Sequence, residues 1–289
     1  MNNFNLDKII TDTKSGPVQF IQSLTKKKFR DEHRCFLLEG LRAVLEALEE
    51  KDFVREVVIS ASFKDDHEYS RILSLIQKGN IRTTYVSDKV FASISDTKTP
   101  QGIACVCHYL EPKRVRISGD IAEIDKDVKN ILLLEDVRDP GNLGTMIRTA
   151  AAAGFDAIIL LEGCVDIYNS KVTRSTVGCM FNIDLIQNLP ETDDVVNILK
   201  KAGFTLYAAH PRGGSCAIGE KFSQKNVIVI GNEANGISTQ MLHKCDKLLT
   251  IPMPGGTESL NASVAAALMI YEVIRNQNVN DSFLEKKNT

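Results

Sequence analysis

Three stretches of this 289-residue chain carry residue types suited to holding a ligand and acting on it. The first is Glu135-Asp-Val-Arg-Asp-Pro-Gly-Asn-Leu-Gly144, with Arg148 further on. Asn142 is placed to cap a helix and leave its backbone N–H groups pointing outward, as anion sites require. Arg148 shares a face with Thr145 and Thr149, opposite the apolar stripe of Leu143, Met146, Ile147 and Ala150. A solvated arginine is the plain alternative to a reactive one. The second stretch, Gly231-Asn-Glu-Ala-Asn-Gly236, has residues that tolerate positive φ and let backbone approach a ligand closely. Alone it is also an ordinary turn with a cap. The third, Pro252-Met-Pro-Gly-Gly-Thr-Glu-Ser-Leu-Asn261, precedes a helix rich in alanine and serine, which permits close packing against neighbouring backbone.

All three must be positioned by strands. Apolar runs at 131–134, 157–161, 183–186, 205–209, 227–230 and 248–251 alternate with helical patterns, among them 143–154 and 262–274. That rhythm predicts a parallel sheet covered on both faces. Ligands in such folds sit beyond the carboxyl ends of the strands, where these stretches fall. Residues 111–129 are charge-rich and aperiodic and read as a linker. Before them, residues 1–110 form a smaller α/β unit, with helices expected from 18, at 40–48 and at 68–77, and strands at 36–38, 54–59 and 103–106. Residues 130–289 form the parallel-sheet domain, and the polar tail after 276 is expected to fray.

Composition narrows the classes. A net charge of −2 excludes a uniformly basic nucleic-acid-binding surface, though a local patch suffices for an enzyme. Seven scattered cysteines with no C-x-x-C pair argue against a disulfide framework and a structural zinc site, and no metal site is expected. No secretory leader or membrane span is recognisable, so a cytoplasmic location is expected. Glu162 lies 18 residues after Gly144, near the spacing of a dinucleotide ribose ligand, but G-x-G-x-x-G is absent.

Taken together, Asp139-Pro-Gly-Asn-Leu-Gly-Thr-Met-Ile-Arg148, Gly231-Asn-Glu-Ala-Asn-Gly236, Ile251-Pro-Met and Glu258-Ser-Leu-Asn-Ala-Ser263 resemble the three motifs of the SpoU branch of the SPOUT RNA methyltransferases, in order, spacing and strand context. The resemblance spans residues 130 to about 276. Phe36-Leu-Leu-Glu-Gly-Leu-Arg42 and Ser95-Asp-Thr-Lys-Thr-Pro-Gln-Gly-Ile103 are similar to recurring segments of the substrate-binding domain found in one group of these enzymes. The resemblance implies an α/β domain with a deep trefoil knot, which nothing in the periodicity suggests. It implies a homodimer, and S-adenosylmethionine held by backbone around Gly231, Ile251 and Leu260, with Asn232, Met253 and Ala209 beside them. It implies methyl transfer to a ribose 2′-hydroxyl of structured RNA, with ribosomal RNA the expected target and transfer RNA the alternative.

In that reading Arg148 acts on the RNA phosphate and the 2′-hydroxyl, and Asn142, Glu233, Ser259 and Asn261 position the reactants. A guanidinium, with a pKa above about 12, suits phosphate orientation and alkoxide stabilisation better than proton abstraction. For Asn261, helix capping is an alternative. Lys26, Lys27, Lys28, Arg30 and Arg34 form a basic cluster suited to phosphate contacts, diluted by Asp31 and Glu32. A non-catalytic RNA-binding or ribosome-assembly protein on the same fold is the competing class.

Overall fold

In the computed structural model, residues 9–118, 121–189 and 192–277 are described. They divide into two compact units. One holds the residues up to Leu110 together with Tyr168–Phe181, and the other holds Glu111–Ile167 and the residues from Asn182 onward. The tail expected to fray lies outside the described residues.

The first unit opens with α1 (Gly16–Ser23), with Pro17 in its first turn, where a missing N–H costs nothing. α2 (Lys27–His33) is a separate helix. The expected single helix breaks at Leu24–Lys26, and the Arg30 guanidinium donates to the Leu24 and Thr25 carbonyls exposed there. Then follow β1 (Cys35–Glu39), α3 (Leu41–Glu49), β2 (Val54–Ser60), α4 (Tyr69–Gly79), β3 (Arg82–Val86), α5 (Asp88–Ile94) and β4 (Ile103–His108). The sheet order is β1-β4-β2-β3. β4 runs antiparallel to both neighbours, and β2 and β3 are parallel. β3 and α5 were not expected: Arg-Thr-Thr-Tyr-Val has too little apolar alternation to announce an edge strand.

The second unit begins where a linker was expected. β5 (Val115–Ser118) and β6 (Ile121–Ile124) form a hairpin, and Val115 and Val128 are buried in the second unit's core. The Asp184 carboxylate accepts the amides of Lys113, Arg114 and Val115, and Asp156 accepts those of Lys129 and Asn130. The segment is anchored by its backbone and by Arg114 on Asp156, an anchorage its charge-rich, aperiodic sequence does not reveal. β7 (Asn130–Leu134), α6 (Pro140–Ala152) and β8 (Ala157–Leu161) follow. The chain then contributes α7 (Ser170–Thr176) to the first unit, where Tyr168 stacks on Tyr109 at 3.9 Å. It resumes in β9 (Asp184–Leu189), α8 (Thr192–Lys201), β10 (Thr205–Ala209), the short β11 (Ser215–Cys216), β12 (Asn226–Ile230), α9 (Thr239–Lys244), β13 (Lys247–Thr250) and α10 (Ala262–Asn276). All seven strands of the order β11-β13-β10-β12-β7-β8-β9 are parallel. β7, β8 and β12 are buried throughout, as apolar runs covered on both faces must be. The loops after β7, β10, β12 and β13 therefore emerge at one edge.

Candidate active site

The loop after β7 enters α6 through Asp139, whose Oδ1 accepts the Asn142 N–H at 2.7 Å. Asn142 was expected as the cap; it lies inside the first turn. Pro140 takes the first helical position, which moves the cap three residues upstream. That displacement frees the Asn142 side chain. Its Nδ2 donates to Glu233 Oε1 at 3.1 Å, and its Oδ1 accepts from Asn261 Nδ2 at 3.0 Å. Glu233 also accepts the Asp139 and Arg138 amides. Burial pushes the Glu233 carboxyl up, but donation from Asn142 and the backbone amides outweighs it and holds the group below the ordinary range.

The polarity of this chain is fixed by complementarity. An ionised Glu233 only accepts, so Asn142 must present its NH2 to it and its oxygen to Asn261. Asn261 then has its own oxygen left for α10, where it accepts from the amides of Ser263 and Val264 and from the Ser263 hydroxyl. Both readings of Asn261, cap and site residue, hold at once. One carboxylate thus connects the β12 loop, the start of α6 and the start of α10.

The loops after β10, β12 and β13 enclose a cavity of about 220 Å3. Gly231, Asn232, Ile251, Met253, Leu260 and Ala209 all line it, as do Glu233 and Ser259. Asn142, Asn261 and Arg148 are not part of its wall. Sequence reasoning missed His210, Pro211 and Leu249, and the inward-facing Ala262 and Ala265 of α10. His210 directly follows β10, so the strand-end rule applied to every strand would have found it. Its Nδ1 lies 2.5 Å from the Arg212 carbonyl oxygen. Gly231 is needed for a reason internal to the loop: a Cβ there would overlap the Gly236–Ile237 peptide. Asn232 and Gly236 close this turn by reciprocal backbone hydrogen bonds of 3.0 and 2.9 Å. Glu162, weighed as a ribose ligand, lines a different cleft with Glu135 and Asp136.

Arg148 is exposed on α6 and has no hydrogen-bond or ion-pair partner among the described residues. The neighbouring Thr145 and Thr149 hydroxyls are turned back to carbonyls one turn earlier. In the first unit Lys26, Lys27 and Lys28 are exposed, and Lys27 pairs with Asp31 at 3.5 Å. The Arg34 guanidinium lies 4.8 Å from the Tyr109 ring centroid. Arg30, expected in the exposed basic cluster, is instead buried at 6 % exposure, and its guanidinium closes the α1 end. Among the described residues no group of three His, Cys, Asp or Glu side chains could hold a metal ion, and no helix is long and apolar enough to cross a membrane.

An apolar and backbone-lined cavity at the carboxyl edge of a parallel sheet, beside an oriented amide–carboxylate chain, defines an α/β enzyme built for a nucleotide-like cofactor. Residues 129–271 match the SpoU rRNA methylase family, and residues 17–105 match the MRM3-like substrate-binding domain. The chain is 36% identical over 267 residues to the 23S rRNA (guanosine(2553)-2′-O)-methyltransferase RlmP of Bacillus subtilis, covering 92% of this chain and 99% of that one. It is 26% identical to the mitochondrial rRNA methyltransferase 3 of Xenopus laevis, covering 92% of this chain and 73% of the relative. The crystal structure of an AdoMet-bound rRNA methyltransferase from Sinorhizobium meliloti superimposes with a TM-score of 0.78 at 28% identity, covering 94% and 99% of the two chains. The chain belongs to the SpoU rRNA methylase family, and so to the RNA methyltransferases that draw their methyl group from S-adenosylmethionine.

Proposed function

We propose that this protein methylates a ribose 2′-hydroxyl of ribosomal RNA, and that its target is a guanosine of the large-subunit RNA. The observation that carries the reading is the hydrogen-bonded run Asn261–Asn142–Glu233 standing beside a cavity lined by Gly231, Ile251 and Leu260. The 36% identity to the Bacillus subtilis enzyme over nearly its whole length supports the target.

S-adenosylmethionine, held in the cavity, supplies an electrophilic methyl group. The cavity fits its adenosine: apolar walls from Ile230, Leu249 and Leu260 offer a slot for a planar base, and the β12 and β13 loops offer backbone groups to read its edge. Met253 and Ala209 complete the walls. Arg148, without a hydrogen-bond or ion-pair partner among the described residues, binds the phosphate next to the target ribose and stabilises negative charge developing on the 2′-oxygen. Asn142 and Asn261, fixed by Glu233, hold the approach direction, and Ser259 reaches the ribose from the cavity wall. In-line placement of nucleophile and methyl is then the main source of acceleration. A deep trefoil knot belongs to the same reading, with small residues of α10 drawn against the β12 and β13 loops. So does a cytoplasmic homodimer. Val264, Leu268 and Tyr271 are exposed at one-turn spacing on α10, an apolar stripe suited to a second copy.

The test is methylation of a 23S rRNA transcript with labelled S-adenosylmethionine, followed by mapping of the modified ribose. Wild type should modify one 2′-hydroxyl, and Arg148→Ala should abolish transfer while keeping cofactor affinity. Wild-type turnover by Arg148→Ala would return this residue to the status of a solvated arginine.

A further inference from the structure

We infer that the first unit grips RNA through the edge of its sheet where β1, β2 and β3 end, using Arg42, Lys98 and Lys171, and not through the basic helix α2. This inference rests on the RNA methyltransferase reading and adds to it the surface that captures the RNA.

The two segments singled out in the sequence of this unit, 36–42 and 95–103, meet at that edge. β1 and β2 both run antiparallel to β4, so β1, β2 and β3 point the same way and end together. In open α/β sheets the carboxyl edge of parallel strands is where ligands dock. α2 leads into the start of β1, so its last turn lies at the opposite edge, while Thr25 and Arg30 near its beginning line a small pocket with Glu39, Asp96 and Ser170.

Charge is sorted at the carboxyl edge. The carboxylates Glu39, Asp96 and Asp88 are bound by the protein itself, while Asp65 after β2 and Glu46 on α3 stay exposed. Glu39, 8 % exposed, accepts from the Ser95 and Thr97 hydroxyls at 2.5 and 2.9 Å and from the Asp96 amide. Asp96 accepts the Ser170 hydroxyl at 2.6 Å and pairs with Arg174 at 3.3 Å. Asp88 accepts both the amide and the hydroxyl of Ser62. The Ser170 hydroxyl first, and then Arg174 and Lys171, hold Asp96 below its usual pKa, and Ser62 does the same for Asp88.

The cations face outward. Arg42, Lys98 and Lys171 are exposed, and among the described residues no side-chain hydrogen bond or close ion pair engages any of them. Lys171 faces Asp96, which is already engaged by Ser170 and Arg174.

The surface is also stiff. Glu39 fixes residues 95–97, Gln101 accepts the Leu41 N–H at 2.9 Å, and the Gly102 carbonyl accepts the Ser60 N–H at 2.8 Å. A short polar loop carrying Lys98 is thereby pinned to the start of α3 that carries Arg42. Side chains on a fixed platform lose less freedom when they meet a phosphate than side chains on a frayed end. The α2 cluster lacks this sorting: Lys27 pairs with Asp31, Arg30 is buried, and Glu32 is exposed beside them. Phosphodiester backbone is the partner that free cations over an inward-turned set of carboxylates fit best.

Two triple variants of the full chain separate the surfaces: Arg42→Ala/Lys98→Ala/Lys171→Ala and Lys26→Ala/Lys27→Ala/Lys28→Ala. Binding to a 23S rRNA transcript is measured across a salt series, with calorimetry of S-adenosylmethionine binding and thermal melting as controls. The first variant should lose roughly tenfold or more in RNA affinity, and its salt slope should fall by about one unit per contact removed. Its cofactor affinity and melting temperature should match wild type. The α2 variant should bind as wild type does. Unchanged affinity and slope in the first variant, or a loss confined to the α2 variant, overturns the surface. A wild-type chain that binds no ribosomal RNA refutes the methyltransferase reading and this surface with it.

Discussion

At the scale of single residues, the site depends on groups whose orientation is dictated by what they touch. Glu233 accepts from Asn142 and from two backbone amides, so its folded-state pKa lies below its unfolded value. The stability this contributes is fully present above the ordinary glutamate range and is lost as pH falls through the depressed folded value. Melting curves of wild type and Glu233→Gln should therefore differ by a constant amount at neutral pH and converge below the usual glutamate pKa. A difference that widens on acidification would contradict the hydrogen-bonded carboxylate described here. Gly231 is a second test at this scale. In Gly231→Ala the methyl group meets the Gly236–Ile237 backbone, which has no rotamer to escape into. The turn must open, so S-adenosylmethionine affinity should fall at least about tenfold with a lower melting temperature. Unchanged calorimetric binding would show that the turn relaxes without reshaping the cavity.

Elements place these residues, and the start of α6 shows how stability and function divide between neighbours. Asp139 caps the helix, whereas Asn142, three positions on, reaches across to two other elements. Asp139→Ala should cost about 1 kcal/mol in denaturant unfolding, the usual value of a lost N-cap. Asn142→Ala keeps the cap and should melt closer to wild type, yet lose methyl transfer by roughly a hundredfold, the range seen when an orienting polar group is removed. Equal stability losses with equal activity in the two variants would show that both act only on the helix. Asn261 cannot be divided this way, because the same side chain caps α10 and holds Asn142.

For the whole molecule, the chain crosses between the units at 110–111, 167–168 and 181–182, so no single cut releases either one. A fragment starting at Asn130 also lacks Val115 and Val128 from its core and the amides that satisfy Asp184. It should melt well below a fragment starting at Glu111, or fail to melt cooperatively; indistinguishable melting would make the hairpin a dispensable appendage. The exposed Val264, Leu268 and Tyr271 stripe makes its prediction at the level of assembly. Leu268→Glu should shift the protein from dimer to monomer in light scattering, because a charge in an apolar interface must be desolvated. A wild-type monomer at micromolar concentration would remove the dimer from the proposed function.

Local physics made much of this protein legible before any coordinates were known. β7, β8, β10 and β12 are unbroken apolar runs, because strands buried on both faces admit little else, and they appear in the structure within a residue of their expected bounds. Gly231 and Asn232 were likewise readable as ligand-loop residues, since they directly follow a strand whose direction the alternating pattern implies, whereas Ile251 was expected at the end of a strand and only the family resemblance pointed to it as a cavity residue. Spacing along the chain could not reveal partners chosen in three dimensions. The cap at Asp139 rather than Asn142 depended on where α6 starts, and the link from Asn142 to Asn261 spans 119 residues. Arg30 read as a surface cation because its neighbours are lysines, until the break after α1 turned it inward onto two open carbonyls. Residues 111–129 read as a linker because their charges looked solvated, and only the fold supplies Asp184 for the amides of 113–115 and Asp156 for the Lys129 amide and the Arg114 guanidinium. Periodicity records which faces are buried. It does not record which buried or half-buried polar groups meet, because hydrogen-bond partners are selected by tertiary geometry rather than by distance along the sequence.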